Sequence, residues 1–233
     1  MICVVLVEPE TPGNIGGVAR AMMNFGFKEL ILVNPKCNHL DYEALYRARH
    51  AKSILKKAVV LKKFSELKKF NTLVAATAAL GTASNVARIP LLPPQLQEKY
   101  TELNKVKSAV VFGREGTGLR NSELLKCDFV VTIPSSPKYR ALNLSHAVAI
   151  ILYELFQGSK KKKIATNFVP VSVKEKEVIM KLIDSSLKRM PFHFETQRET
   201  QQKIWKRLIG KAMLSRREAY AVIGFLKKAG KLK

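Results

Sequence analysis

Cysteine is scarce in this chain of 233 residues. Cys3, Cys37 and Cys127 stand apart, odd in number, with no C-x-x-C and no Cys/His cluster at metal-ligand spacing, so neither a disulfide framework nor a structural metal site is expected. Acid is scarce relative to base. Eighteen Asp+Glu against 41 Lys+Arg leave a formal charge of +23, far beyond what solubility requires, and such an excess implies a polyanionic partner. The charge is spread along the chain, which suits nucleic acid better than an acidic membrane surface. No apolar run approaches the roughly 18 residues of a membrane span. Met1 to Val7 meets an acid at Glu8 with no basic residue before it, so no signal peptide is expected. A hydrophobic content of 47% over this length can bury a real core, which rules out intrinsic disorder. The expectation is a soluble protein of a reducing compartment, the cytoplasm.

Composition shifts at one place. Around Gly158 to Phe168 four consecutive lysines follow a helix-like run and precede Pro170; like charges repel and extend a segment, so residues 158–170 read as a basic linker. Residues 1–157 hold 21 Lys+Arg and 12 Asp+Glu, whereas residues 158–233 hold 20 and 6. The shorter part therefore carries the larger net charge, +14 against +9.

Before the linker, β-branched runs recur with room for a helix between them: Ile2 to Val7, Glu29 to Val33, Ala58 to Leu61, Thr72 to Thr77, Ser108 to Phe112 and Phe129 to Ile133. These runs are continuous rather than alternating, as strands buried on both faces require, so a mostly parallel sheet covered by helices is predicted. Ile15 to Phe25, Tyr42 to Ala51, Pro93 to Tyr100, Asn121 to Lys126 and Asn143 to Phe156 are the expected helices. Strand-helix alternation makes residues 1–157 an α/β domain. Residues 171–233 read as a small helical domain, with capping boxes at Ser172 to Glu175 and Ser215 to Glu218 and a third helix from about Glu195 to Leu214.

The first strand feeds into Glu8-Pro-Glu-Thr-Pro-Gly13-Asn14-Ile15-Gly16-Gly17-Val-Ala19-Arg20. Gly13, Gly16 and Gly17 do not reproduce G-x-G-x-x-G, and Walker-A spacing is missing, so neither a dinucleotide fold nor a nucleoside-triphosphate enzyme fits. The Gly16-Gly17 pair at a helix opening permits close approach of another backbone. A second glycine loop, Val111 to Leu119, follows a buried strand, and three glycines within it mean that backbone atoms form much of its surface. A third segment runs from Ile133-Pro134 through Pro137, Tyr139 and Arg140 into the helix that Leu142-Asn143-Leu-Ser145-His146-Ala-Val148 opens.

N-x-G-x-x-A-R, then F-G-x-E-x-x-G-L, then I-P ahead of an L-N-x-S-x-A-V helix are weak signals singly and specific in this order. Together they resemble the SPOUT class of RNA methyltransferases in its SpoU/TrmH branch, over residues 1 to about 157. Within that branch, Tyr139 after Pro137 and the tail from Trp205 to Tyr220 are similar to tRNA 2′-O-methyltransferases of the anticodon loop, which act at nucleotide 32 in conventional tRNA numbering. The resemblance implies a sheet whose C-terminal segment is threaded as a deep trefoil knot, a homodimer, and S-adenosylmethionine bent into the knot. It places Thr77, Ala78, Ala79, Gly113, Arg114, Glu115, Ile133, Pro134, Leu142 and Asn143 around the cofactor, and it implies no metal. Ile133 and Leu142 would meet adenine through backbone groups.

Methylating a ribose 2′-hydroxyl requires an acceptor oxygen aligned behind the sulfonium methyl and relieved of its proton. The resemblance assigns that task to Arg20. An arginine is a poor base, so stabilising the developing alkoxide is its conservative role. Asn14 would orient RNA or Arg20, Glu115 would hold the loop or the cofactor's methionine end, and Asn143 and Ser145 would shape the pocket. His146, on a packed helix, reads as structural. Ala141 departs from the family, where Ser commonly precedes Leu-Asn, and Ser145 is the hydroxyl available to substitute. Tyr139, Arg140, Lys160, Lys161, Lys162, Lys203, Lys206, Arg207, Arg216 and Arg217, with Arg20, form the expected RNA surface, contacting phosphates without reading sequence. Two other readings stay open on these residues: a ribosomal-RNA 2′-O-methyltransferase, and a catalytically silent RNA-binding homologue, against which intact Asn14, Arg20, Glu115 and Asn143 speak.

Overall fold

The apolar runs form strands whose residues are almost all buried, because helices cover both faces of the sheet. The structure is a computed structural model that describes residues 1–78, 90–160 and 169–230. The strands are β1 (Ile2–Val7), β2 (Leu30–Val33), β3 (Val59–Leu61), β4 (Thr72–Ala76), β5 (Ser108–Phe112) and β6 (Phe129–Val131). They form one sheet in the order β3-β2-β1-β5-β4-β6, and every neighbouring pair is parallel. β1 is central, with Val4 opposite Leu30 on one side and Val110 on the other. Because the chain first winds from β1 toward β3 and then returns to the far side, the order reverses beside β1. Such reversals open a crevice at the carboxyl ends of the strands.

The helices of this part are α1 (Pro12–Asn24), α2 (Tyr42–Ala48), α3 (Lys52–Lys56), α4 (Pro93–Glu98), α5 (Tyr100–Lys105), α6 (Asn121–Leu124) and α7 (Leu144–Lys160). α3 lies where no helix is expected, α7 runs on to Lys160 into the segment read as a linker, and three further departures have a local cause. α1 starts at Pro12, a residue whose fixed φ and missing N–H suit the first helical turn, so Gly13, Gly16 and Gly17 lie inside a helix and not in a loop. α2 stops at Ala48 because Arg49 adopts φ 53° and ψ −117°, which no helix accommodates. The single helix expected at Pro93 to Tyr100 is followed at once by a second, α5.

The chain forms two compact units, residues 1–163 and 164–233. The second contains α8 (Val173–Leu187), α9 (Glu195–Ala212) and α10 (Arg216–Ala229) around Ile179, Ile183, Leu187, Ile209 and Ala219. Both capping boxes form: Ser172 Oγ accepts from Glu175 N and Ser215 Oγ from Glu218 N, each at 3.2 Å, while each glutamate carboxylate accepts the serine N–H at 2.7 Å. Among the described residues no helix is long and apolar enough to cross a membrane.

Candidate active site

A groove of about 220 Å³ opens where β4, β5 and β6 end. Phe112, Val131, Leu144, Ala147 and Ile151 form its apolar lining, and Ala76 to Ala78, Gly113 to Gly118, Ile133 and Arg140 to Leu142 surround it. The strand ends are pinned, since Thr77 N donates to Val131 O at 3.0 Å. Gly113 is required by close approach: a Cβ there would lie 2.2 Å from the Gly118 carbonyl carbon. That approach lets Arg114 and Gly118 exchange backbone hydrogen bonds at 3.2 and 3.0 Å, with Gly118 at φ 67°.

Two side chains of this loop, Arg114 and Glu115, are bonded to residues outside it and fix its shape. Arg114 is buried; its Nε donates to Glu8 Oε2 at 2.7 Å, and Nη1 and Nη2 donate to Glu123 at 3.0 and 2.9 Å. This fork is bidentate and charge-assisted, the strong kind of ionic contact. The Arg114 hydrogen bond holds the Glu8 carboxyl at about 2, well below the usual carboxylate range, and Asn34 adds a second at 3.2 Å. Burial pushes the Glu123 carboxyl up, but Arg114 and the Arg120 N–H outweigh it and leave it lowered. The same contacts raise the Arg114 guanidinium. Glu115 reaches the other way: its carboxylate accepts from Thr11 N at 3.1 Å and Thr11 Oγ1 at 2.5 Å. It thereby supplies the negative charge favoured at the start of α1 and ties the β5 loop to that helix.

At the mouth of the groove α1 meets α7. Asn143 is the residue before α7, and its Oδ1 accepts from Ser145 N at 2.9 Å and Ser145 Oγ at 2.8 Å, which caps the helix. Its Nδ2 donates to Asn14 Oδ1 at 2.9 Å. The glycine pair makes this possible: a Cβ on Gly17 would lie 3.0 Å from Ser145 Cβ, and one on Gly16 would lie 2.3 Å from the Ala44 carbonyl oxygen of α2.

Asn14, Asn143 and Ser145 are thus brought together, and Thr77, Ala78, Gly113, Arg114, Glu115, Ile133, Arg140 and Leu142 line the groove beside them. Arg20 is not among the lining residues; it opens on a separate hollow with Asn24, Arg49 and His50. Pro134 and Tyr139 are exposed, Tyr139 at 79%. Lys203, Lys206 and Arg217 are exposed, and Arg216 pairs with Glu175 at 3.0 Å. Arg207 is buried, and burial lowers its guanidinium, so it does not stand on a basic surface as expected. Packing of the helical unit takes up a position that the charge pattern reads as solvent-facing. Ala79, Lys161 and Lys162 lie outside the described residues, as does the side chain of Lys160. Sequence reasoning missed Glu8 and Glu123 as the anchors of Arg114. The signal available was weak: an acid directly at a strand end, and an acid nine residues beyond an arginine in a glycine loop.

An all-parallel sheet with a groove at its carboxyl edge, walled by a glycine loop and by the segment leading into α7, defines the class. The SpoU rRNA Methylase family matches residues 1–153, and the chain belongs to that family. Similarity extends along the whole chain to TrmJ, named as tRNA (cytidine-2′-O-)-methyltransferase, of Methanocaldococcus jannaschii: 38% identity, covering 97% of this chain and 99% of that one. The crystal structure of TrmJ from Z. mobilis ZM4 covers 99% of this chain and 100% of its own, at 25% identity and a TM-score of 0.72. The SpoU methyltransferase AviRb of Streptomyces viridochromogenes, solved in complex with AdoMet, shares the fold at 20% identity and a TM-score of 0.55, over 68% of this chain and 60% of that one.

Proposed function

We propose that the protein transfers a methyl group from S-adenosylmethionine to a ribose 2′-hydroxyl of tRNA, in the anticodon loop at nucleotide 32. The observation that carries this reading is the likeness to an archaeal TrmJ over nearly the full length of both chains. The groove fits the cofactor. Its apolar floor suits an adenine ring, and peptide groups of the glycine loop, Ile133 and Leu142 offer the donors and acceptors that a nucleoside needs. When bound, S-adenosylmethionine supplies an activated methyl with a neutral thioether leaving group.

The chain's own residues orient and stabilise. Asn14 and Asn143, locked to each other at the mouth, present amide groups to the ribose and its phosphate. Ser145 is committed to Asn143 and keeps α7 capped. Glu115 holds α1 against the glycine loop. Arg20 stabilises the developing alkoxide and the adjoining phosphate.

Arg20 opens on a hollow other than the groove, so its route to the reacting oxygen runs through a homodimer. The surface beside it supports one: Met23, Ile150 and Tyr153 are large apolar residues exposed on α1 and α7. A dimer joined through these faces would bring Arg20 of one protomer toward the groove of the other. The segment from β5 into α7 is threaded as the family's trefoil knot, and the helical unit, with exposed Lys203, Lys206 and Arg217, adds phosphate contacts in a cytoplasmic enzyme.

The test is transfer of labelled methyl from S-adenosylmethionine to unmodified tRNA transcripts by the wild type and by Arg20→Ala. The wild type is expected to give alkali-resistant label. Arg20→Ala is expected to lose about a hundredfold or more in kcat while still binding the cofactor. Near-normal turnover by Arg20→Ala would defeat the assigned role; no transfer by a wild type that binds cofactor would defeat the tRNA reading.

A further inference from the structure

α2 ends at a residue that a helix cannot continue through. Arg49 sits at φ 53° and ψ −117°, a backbone region ordinarily left to glycine. The turn carries its guanidinium back over the helix, where Cζ lies 4.6 Å from the centroid of the Tyr46 ring. Tyr46 in turn stacks on Tyr42, with centroids 5.9 Å apart and planes 22° from parallel. The fold has no need of these rings: α2 packs through Ala44 and Ala48, whereas Tyr46 is 50% exposed and Tyr42 is 79% exposed. The result is a three-tier stack of guanidinium and two phenols whose outer end, Tyr42, is open.

The same arginine lines the hollow of about 420 Å³ that it shares with Arg20, Asn24 and His50. Among the described residues no carboxylate pairs with Arg20, Arg49 or His50; Glu43 of α2 turns instead to Arg47, at 3.7 Å. A cationic recess therefore adjoins an open aromatic platform, and Arg49 belongs to both. Unpaired nucleotides have this complementary chemistry. Their exposed base faces stack on aromatic rings, and their phosphates take guanidinium donors. A base inside a duplex presents no free face.

We propose that Tyr42, Tyr46 and Arg49, with the recess beside them, form a single-stranded RNA subsite that stacks an unpaired base flanking the methylated nucleotide and holds its phosphate. The subsite rests on the reading of the protein as a tRNA methyltransferase, and it adds to that reading a reason for preferring loop over stem.

The experiment measures binding of an unmodified tRNA transcript at several salt concentrations, with methyl transfer measured alongside. It compares the wild type with Tyr42→Ala, Tyr42→Phe and Arg49→Gly. Tyr42→Ala is expected to weaken tRNA binding about 5- to 100-fold. Tyr42→Phe, which keeps the ring, should stay within about twofold of the wild type. Arg49→Gly should weaken binding and reduce the slope of log K against log salt by about one. Glycine suits the backbone at position 49, so misfolding would not explain that loss. Cofactor binding should be unchanged in all three. Wild-type affinity and salt slope in both Tyr42→Ala and Arg49→Gly would overturn the subsite. A wild type that binds tRNA but transfers no methyl to it would defeat the functional reading alone, and the variants' binding would still decide the subsite.

Discussion

On one side of the groove, the glycine loop after β5 is anchored from three directions. Arg114 is forked onto Glu123 and bonded to Glu8, Glu115 is bonded to the start of α1, and the backbone closes on itself at Gly118. On the other side, residues 133–143 are exposed along most of their length, and their hydrogen bonds are mostly short-range. Ser135 Oγ donates to Arg140 O at 3.1 Å, Tyr139 N to Ser136 O at 3.0 Å and Lys138 N to Ser136 Oγ at 3.3 Å. Its long-range tie lies at the end, where Asn143 meets Asn14. The difference assigns the two walls different work. The anchored wall sets peptide donors and acceptors before a ligand arrives, which lowers the ordering cost of binding. The lightly tied wall can settle around the ligand afterwards.

Breaking the anchored wall should have the largest effect. Arg114→Ala leaves Glu123 without its cation and Glu8 with only the exposed Arg120, at 3.8 Å, and loss of one partner of a buried pair costs about 3–5 kcal/mol. The expected fall in Tm, read by thermal denaturation, is about 10 °C. The same contrast has a pH signature. Glu8 titrates at about 2 in the fold against an ordinary 4.5, and Glu123 is also lowered, so their pairing stabilises the protein above about pH 4.5 and is lost as pH falls toward 2. Denaturation followed from pH 6 to pH 3 should show that loss in the wild type and a flatter profile in Arg114→Ala. Asn143→Ala, at the junction of the walls, should cost about 1 kcal/mol through the lost cap. It should also lower methyl transfer about ten- to a hundredfold through misplacement of Asn14. Smallest of all, Tyr139→Ala on the lightly tied wall should change stability by less than about 0.5 kcal/mol, with any loss confined to tRNA affinity.

The sheet was legible because its strands are buried on both faces: continuous runs such as Ile2 to Val7 and Ser108 to Phe112 become strands with the same bounds. The three motifs were legible as segments, and two of them wall the groove. Three features were not legible. Pro12 reads equally well as a turn or as a first helical residue, and the choice depends on Glu115 arriving from elsewhere to satisfy the helix start. Arg49 breaks α2 although no glycine or proline marks the place; the break goes with tertiary packing, in which Ala48 on one side of it and Ala51, Ile54 and Leu55 on the other are all buried. Arg114 lines the groove, and the resemblance placed it beside the cofactor, but the partners of its side chain left no mark in the motif. Its side chain is spent on Glu8 and Glu123, at sequence separations of 106 and 9 residues, and pairing at the first distance leaves no trace in spacing.

The most direct test of the central claim maps the label. Wild-type protein is given labelled S-adenosylmethionine and unmodified tRNA transcripts, and the modified nucleotide is located by mass spectrometry. The account predicts a methyl on a ribose 2′-oxygen in the anticodon loop; a methyl on a base, or label only on ribosomal RNA, would contradict it.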